Sequence, residues 1–196
     1  MKKRLFAALL LIMILSVVVE NTAAYFSAST EVHNVITTGA IDIALKETTL
    51  GENQEEIPYP EDPVVGVMPG QEHSKIVRIQ NVCDQPAWVR IRVETTITDA
   101  AGNDLPADQV GIQFDETLWV EEDGYFYYKT ELAPGEETEP LFRTVRFDSE
   151  MGNAYQEATV EIDVIAQAVQ SANNGIPAEP ADADVTDVKG WPVTEP

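Results

Sequence analysis

The side chains that could do chemistry are few. His33 and His73 are the only histidines and Cys83 the only cysteine. A zinc site shared by the two histidines would need carboxylates to complete it, and no His-Glu-x-x-His pair exists to place two ligands on one helical face. Two ordinary surface histidines are the expected reading. The chain has no Gly-x-Ser-x-Gly nucleophile elbow, no Ser/His/Asp spacing of note and no glycine-rich phosphate loop. Cys83, between Val82 and Asp84, cannot form a disulfide within the chain and has no base beside it in sequence. A half-buried structural thiol in a turn is expected, with an intermolecular disulfide as the alternative in an oxidising compartment. Asp99, Asn103, Asp104 and Asp108 gather oxygens in one stretch but lack the glycine and terminal glutamate of an EF-hand loop. They read as a solvated loop. The sequence therefore predicts no catalytic residue, no cofactor and no metal ligand.

The densest local feature is aromatic. Trp119-Val120-Glu121-Glu122-Asp123-Gly124-Tyr125-Phe126-Tyr127-Tyr128 holds an Asp-Gly pair suited to a tight turn, flanked by residues that favour strands. A carbohydrate-binding platform and plain hairpin packing are both compatible with it; packing is the expected role.

The elements that carry these residues are strands. Apolar side chains alternate with polar ones at Val35, Ile41, Ile43, Leu45; at Val89, Ile91, Val93, Ile97, against Arg90, Arg92, Glu94; and at Val160, Ile162, Val164, Ala166, Ala168, against Glu161, Asp163, Gln167. A period of two with one polar face predicts antiparallel strands with one side on a core and one toward water. Shorter candidates are Lys75–Gln80, Gly111–Phe114, Leu118–Val120, Tyr125–Lys129 and Leu141–Phe147. Turn signals at Pro69-Gly70, Asp84-Gln85-Pro86, Asp123-Gly124 and Pro134-Gly135 separate them. Seven or eight strands so spaced predict an all-β fold, a single jelly-roll-like antiparallel β-sandwich over 35–170. One short helix fits the acidic loop 99–111. Lys46–Val67, with Pro58, Pro60 and Pro63, reads as a long loop at the sandwich edge. Residues 171–196, rich in Ala, Pro and Asp, read as a flexible acidic tail in which Trp191 is the side chain suited to docking.

The N-terminus has the form of a targeting signal. Lys2, Lys3 and Arg4 precede an apolar run from Leu5 to Val19, interrupted only by Ser16, and small residues follow at Thr22-Ala23-Ala24. The run is shorter than the roughly 20 residues that span a bilayer. A signal peptide over 1–24 is predicted, cut between Ala24 and Tyr25. An N-terminal arm, 25–34, would then lead the exported chain, which is not expected to span a membrane. The C-terminal stretch carries no second apolar run. The formal net charge is −22, and removing 1–24 leaves nine basic against 33 acidic residues. Such a surface repels phosphate backbones, so nucleic acid is excluded as a partner. It also holds copies apart at low salt.

Several segments in order resemble the TasA/camelysin family of exported proteins with SipW-dependent signal peptides. They are the junction Ala24-Tyr25-Phe26-Ser27, the stretch Asn34 to Ile43, Pro69-Gly70 with Val77 to Asn81, Pro86 to Ile91, Trp119 to Tyr128, Leu132-Ala133-Pro134-Gly135-Glu136 and Ala166 to Gln170. The resemblance spans nearly the whole chain. It implies a jelly-roll sandwich, processing by a dedicated signal peptidase, and secretion to the cell surface or a biofilm-type extracellular matrix. Some members form fibres and others have been called metalloendopeptidases. The resemblance transfers no catalytic residue to any position here. A secreted structural protein is expected, with a camelysin-like metallopeptidase as the alternative. If the arm is extended, Phe26, Ala28, Thr30 and Val32 share one of its faces. It could then add as a strand to the sheet edge of the next copy and build a homopolymer.

Overall fold

The computed structural model describes residues 26–29, 33–37, 41–60, 64–172 and 184–192, with the backbone alone for 26–29, 33–37 and 64–67. Its centre is the pairing of two long strands, β7 (Ala87–Thr98) and β13 (Thr159–Gln170), antiparallel along their whole length. The register sets Val89 opposite Ala168, Ile91 opposite Ala166, Val93 opposite Val164 and Ile97 opposite Val160. The apolar side of each strand thus lands on one face, and a slip of one residue would turn every one of these side chains away from the core. Val89, Ile91, Ile97, Val160, Ile162 and Val164 are buried, as the alternation predicts. Each contributes about 1.5–3 kcal/mol by leaving water.

A second sheet packs on that face. It runs in the order β4 (Glu56–Pro58), β3 (Ile43–Leu50), β6 (Glu72–Asn81), β12 (Phe142–Phe147), β9 (Val110–Phe114), all antiparallel. Ile43, Val77, Ile79, Phe142, Val145 and Phe147 close the core against β7 and β13. The larger sheet runs β10 (Trp119–Glu122), β11 (Tyr125–Tyr128), β7, β13, β1 (Phe26–Ser29), β5 (Val64–Val67). β2 (His33–Thr37) also pairs with β13, and β8 (Asp104–Leu105) with β7. The fold is an all-β sandwich of two sheets.

Four expectations change. The stretch Lys46–Val67 is not one loop: β3 continues to Leu50, β4 folds back on it with Thr48 opposite Pro58, and β5 crosses to the larger sheet. Prolines mask the pattern in the sequence, yet Pro58 ends an edge strand, where its missing N–H leaves no ladder bond unmade. The described part of the tail, expected to be free of the domain, packs on it. Residues 184–192 lie on the outer face of the larger sheet, with Val185 and Val188 buried against Trp88, Tyr127 and Val169, and Trp191 packed beside them. That same face was expected to be wet at Arg90 and Gln167, and both are buried, Arg90 against Trp191 of the tail and Gln167 beneath Arg90. The helix expected in 99–111 is a single 3-10 turn, Ala107–Gln109.

Candidate functional site

The N-terminal strand is the first candidate. β1 lies between β13 and β5: Ala28 pairs with Val160 in a parallel ladder on one side and with Val64 in an antiparallel one on the other. β2 also runs parallel to β13, from His33 opposite Val164 to Thr37 opposite Ala168. These are the two parallel pairings among the described strands; every other pairing is antiparallel. Of the residues assigned to the arm, Phe26 and Ala28 therefore sit on a strand paired within its own chain. Thr30 and Val32, and the cleavage pair Ala24 and Tyr25, lie outside the described residues.

The two histidines belong to different sheets, His33 on β2 and His73 on β6. The His73 ring stands edge-on to Phe147 at 5.8 Å, and its buried Nε2 has no hydrogen-bond partner among the described residues. Burial holds its pKa below the usual histidine value. Among the described residues no three of His, Cys, Asp and Glu gather where a metal could sit. The oxygen-rich loop is a self-satisfied turn: Asp99 Oδ1 accepts from the backbone N–H groups of Ala101 and Asn103. Asn103 Nδ2 donates to the same carboxylate at 2.9 Å, and this bond leads the causes that lower the Asp99 pKa. Cys83 follows β6 half-buried, its Sγ 3.0 Å from Asn81 Oδ1.

The aromatic hairpin forms as its sequence predicts. Asp123 and Gly124 both take positive φ, 51° and 77°, between β10 and β11. This is the backbone a two-residue turn needs to match the strand twist. The rings are spent on packing, on both sides of the sheet. Trp119 is buried in the inter-sheet core and donates Nε1–H to Glu139 O at 3.2 Å, and Phe126 lies 4.1 Å from Phe114. Tyr125 and Tyr127 face the other way, toward the tail.

There they meet Arg90. Its guanidinium carbon is 3.8 Å from the Tyr125 ring centre and 4.5 Å from that of Trp191, so cation–π attraction acts from two rings. Arg90 Nε donates to Gln167 Oε1 at 2.7 Å and its Nη1 to Tyr127 Oη at 2.9 Å. The alternation of β7 and β13 puts Arg90 and Gln167 opposite each other, and the hairpin and tail supply the rings. Sequence reasoning missed this cluster. The available signal was Trp191, an indole in a tail rich in Ala, Pro and Asp.

A second buried charge is conventionally paired. Lys75 Nζ lies 2.6 Å from Glu47 Oε1 with both side chains nearly inaccessible, and 4.2 Å from the centre of the Tyr59 ring. Burial lowers the Lys75 pKa and Glu47 opposes that shift.

Compared with protein-family models, with curated proteins and with solved structures, the chain matches none.

Proposed function

We propose that this chain is a secreted structural subunit of the cell surface or extracellular matrix, released by a dedicated signal peptidase, which self-associates into a homopolymer by exchanging its N-terminal strand. One observation carries the reading: β1 is a four-residue strand held on both sides, by β13 and β5. The same backbone bonds can be made by β1 of another copy, so the strand can leave its own sheet and fill the same slot next door without loss of ladder. Head-to-tail repetition of that step gives a filament. A cleavable leader joined to Tyr25 would delay exchange until export.

The test compares a chain starting at Tyr25 with one starting at Asn34, both checked for folding by circular dichroism and imaged by electron microscopy. Filaments from the longer chain alone are expected, and a peptide spanning Tyr25–Val32 should shorten them by capping the slot. Equal polymerisation of both folded chains would exclude the exchange.

A further inference from the structure

We propose that Arg90, with Gln167 and Trp191, forms a binding site for a carboxylate. This inference stands apart from strand exchange and rests on the outer face of the larger sheet. In a chain with 34 acidic residues, four of the five described arginines meet a carboxylate: Arg78 with Glu56, Arg92 with Glu94, Arg143 with Glu139 and Arg146 with Glu72. The fifth, Arg90, is the one that is buried, at 8% exposure, and among the described residues it meets none. Burying a cation without an anion runs against its desolvation unless an acceptor is supplied from elsewhere.

Two more donors in the cluster are in the same condition. Gln167 is fully buried, and its Oε1 is fixed toward Arg90 by the 2.7 Å bond from Nε, so the amide cannot flip. Among the described residues its Nε2 has no acceptor, nor has the buried Nε1 of Trp191. Arg90 itself brings five N–H groups, of which two are engaged, one with Gln167 and one with Tyr127. The cluster is rich in donors and short of oxygen. The rings of Tyr125 and Trp191 lie against the guanidinium, 3.8 and 4.5 Å from its carbon, so a group meeting its edge would sit beside them. A flat, singly charged carboxylate pairs with the guanidinium edge through two parallel bonds. A dianion is disfavoured by the chain's negative field.

The carboxylate can be free in solution or can be an acidic side chain of a second copy. The experiment follows the indole N–H resonance of Trp191 in the full chain while acetate replaces chloride at constant ionic strength. A second series varies protein concentration in chloride alone. A saturable shift with acetate, lost in Arg90→Lys, which keeps the charge but not the fork, supports a free ligand. A shift with protein concentration, likewise lost in Arg90→Lys, supports a second copy as the source. Gln167→Glu supplies a carboxylate from within, and should raise the melting temperature and abolish both responses. The indole of Trp119, bonded to Glu139 O, reports whether each variant is folded. The proposal is overturned if Trp191 moves no further than Trp119 in either series, or if its shift survives undiminished in Arg90→Lys or Gln167→Glu.

Discussion

Arg90 and Arg92 sit two residues apart on the same side of β7, and only their surroundings separate them. Arg90 is enclosed by Tyr125, Tyr127, Trp191 and Gln167, whereas Arg92 keeps 42% of its side chain exposed and pairs with Glu94. Arg90→Asp would remove the ring contacts and leave a carboxylate under the tail, against Gln167 Oε1. The expected cost is about 3–5 kcal/mol, as for a broken buried charge arrangement. Arg92→Asp should cost about 1 kcal/mol or less, as surface pairs do. Urea denaturation of the two variants checks this; equal midpoints would mean that the tail does not cover Arg90 in solution. His73 supplies a pH dependence. Its folded pKa is lowered by burial below its ordinary value near 6.5. As pH falls, the unfolded chain takes up this proton first. Stability is therefore full above about 6.5 and is lost as pH falls from there toward the folded pKa. His73→Leu should flatten that limb of the stability–pH curve, leaving the carboxylate limb at lower pH in place. An unchanged limb in the variant would show that other groups carry it.

At the scale of elements, the tail segment 184–192 acts as a strap. Its own turn is capped by Asp184, whose carboxylate accepts from Thr186 N–H at 3.0 Å and Thr186 Oγ1 at 2.8 Å. Val185, Val188 and Trp191 then hold it to the sheet. Trp191→Ala should release it: hydrogen exchange across 184–192 would rise, with β7 and β13 still protected. The indole makes contacts worth about 2–3 kcal/mol, comparable with the local stability of a short docked segment. Rapid exchange confined to 184–192 in the parent chain would already argue against docking. The strap also shows where the sequence was legible and where it was not. The alternation in β7 and β13, the Asp123-Gly124 turn and the apolar face of the core could be read directly, because each is written within a few consecutive residues. The outer face could not. Period two says that Arg90 and Gln167 point away from the core, but not that a later segment, far along the chain from Arg90, will pack on that face. The same holds for β4, whose partner β3 is local but whose prolines imitate a loop. It also holds for β1, whose pairing with β13 joins the first and last strands of the described chain.

At the scale of the whole molecule, the charge works against the proposed assembly. A chain of net −22 repels its copies. The contact proposed between copies is made of backbone hydrogen bonds, which salt does not screen away. Salt should therefore promote polymerisation, the opposite of its effect on an assembly held by ion pairs. The Debye length falls from about 30 Å at 0.01 M to about 8 Å at 0.15 M. The steepest gain is thus expected across that range, with a plateau once the screening length is short beside the size of a domain. Light scattering of the chain starting at Tyr25 across a sodium chloride series checks this. A rate that falls with salt would assign the contact to charge pairs, with Arg143, Arg146 and Lys189 among the exposed cations of the described residues, and would count against strand exchange. Divalent cations sharpen the test. Among the described residues no acidic cluster is built to hold one, so magnesium and calcium should act through ionic strength and general screening and give superimposable curves. A calcium curve displaced from the magnesium curve would mean that carboxylates from two copies meet at the junction and build there a site that neither copy has alone.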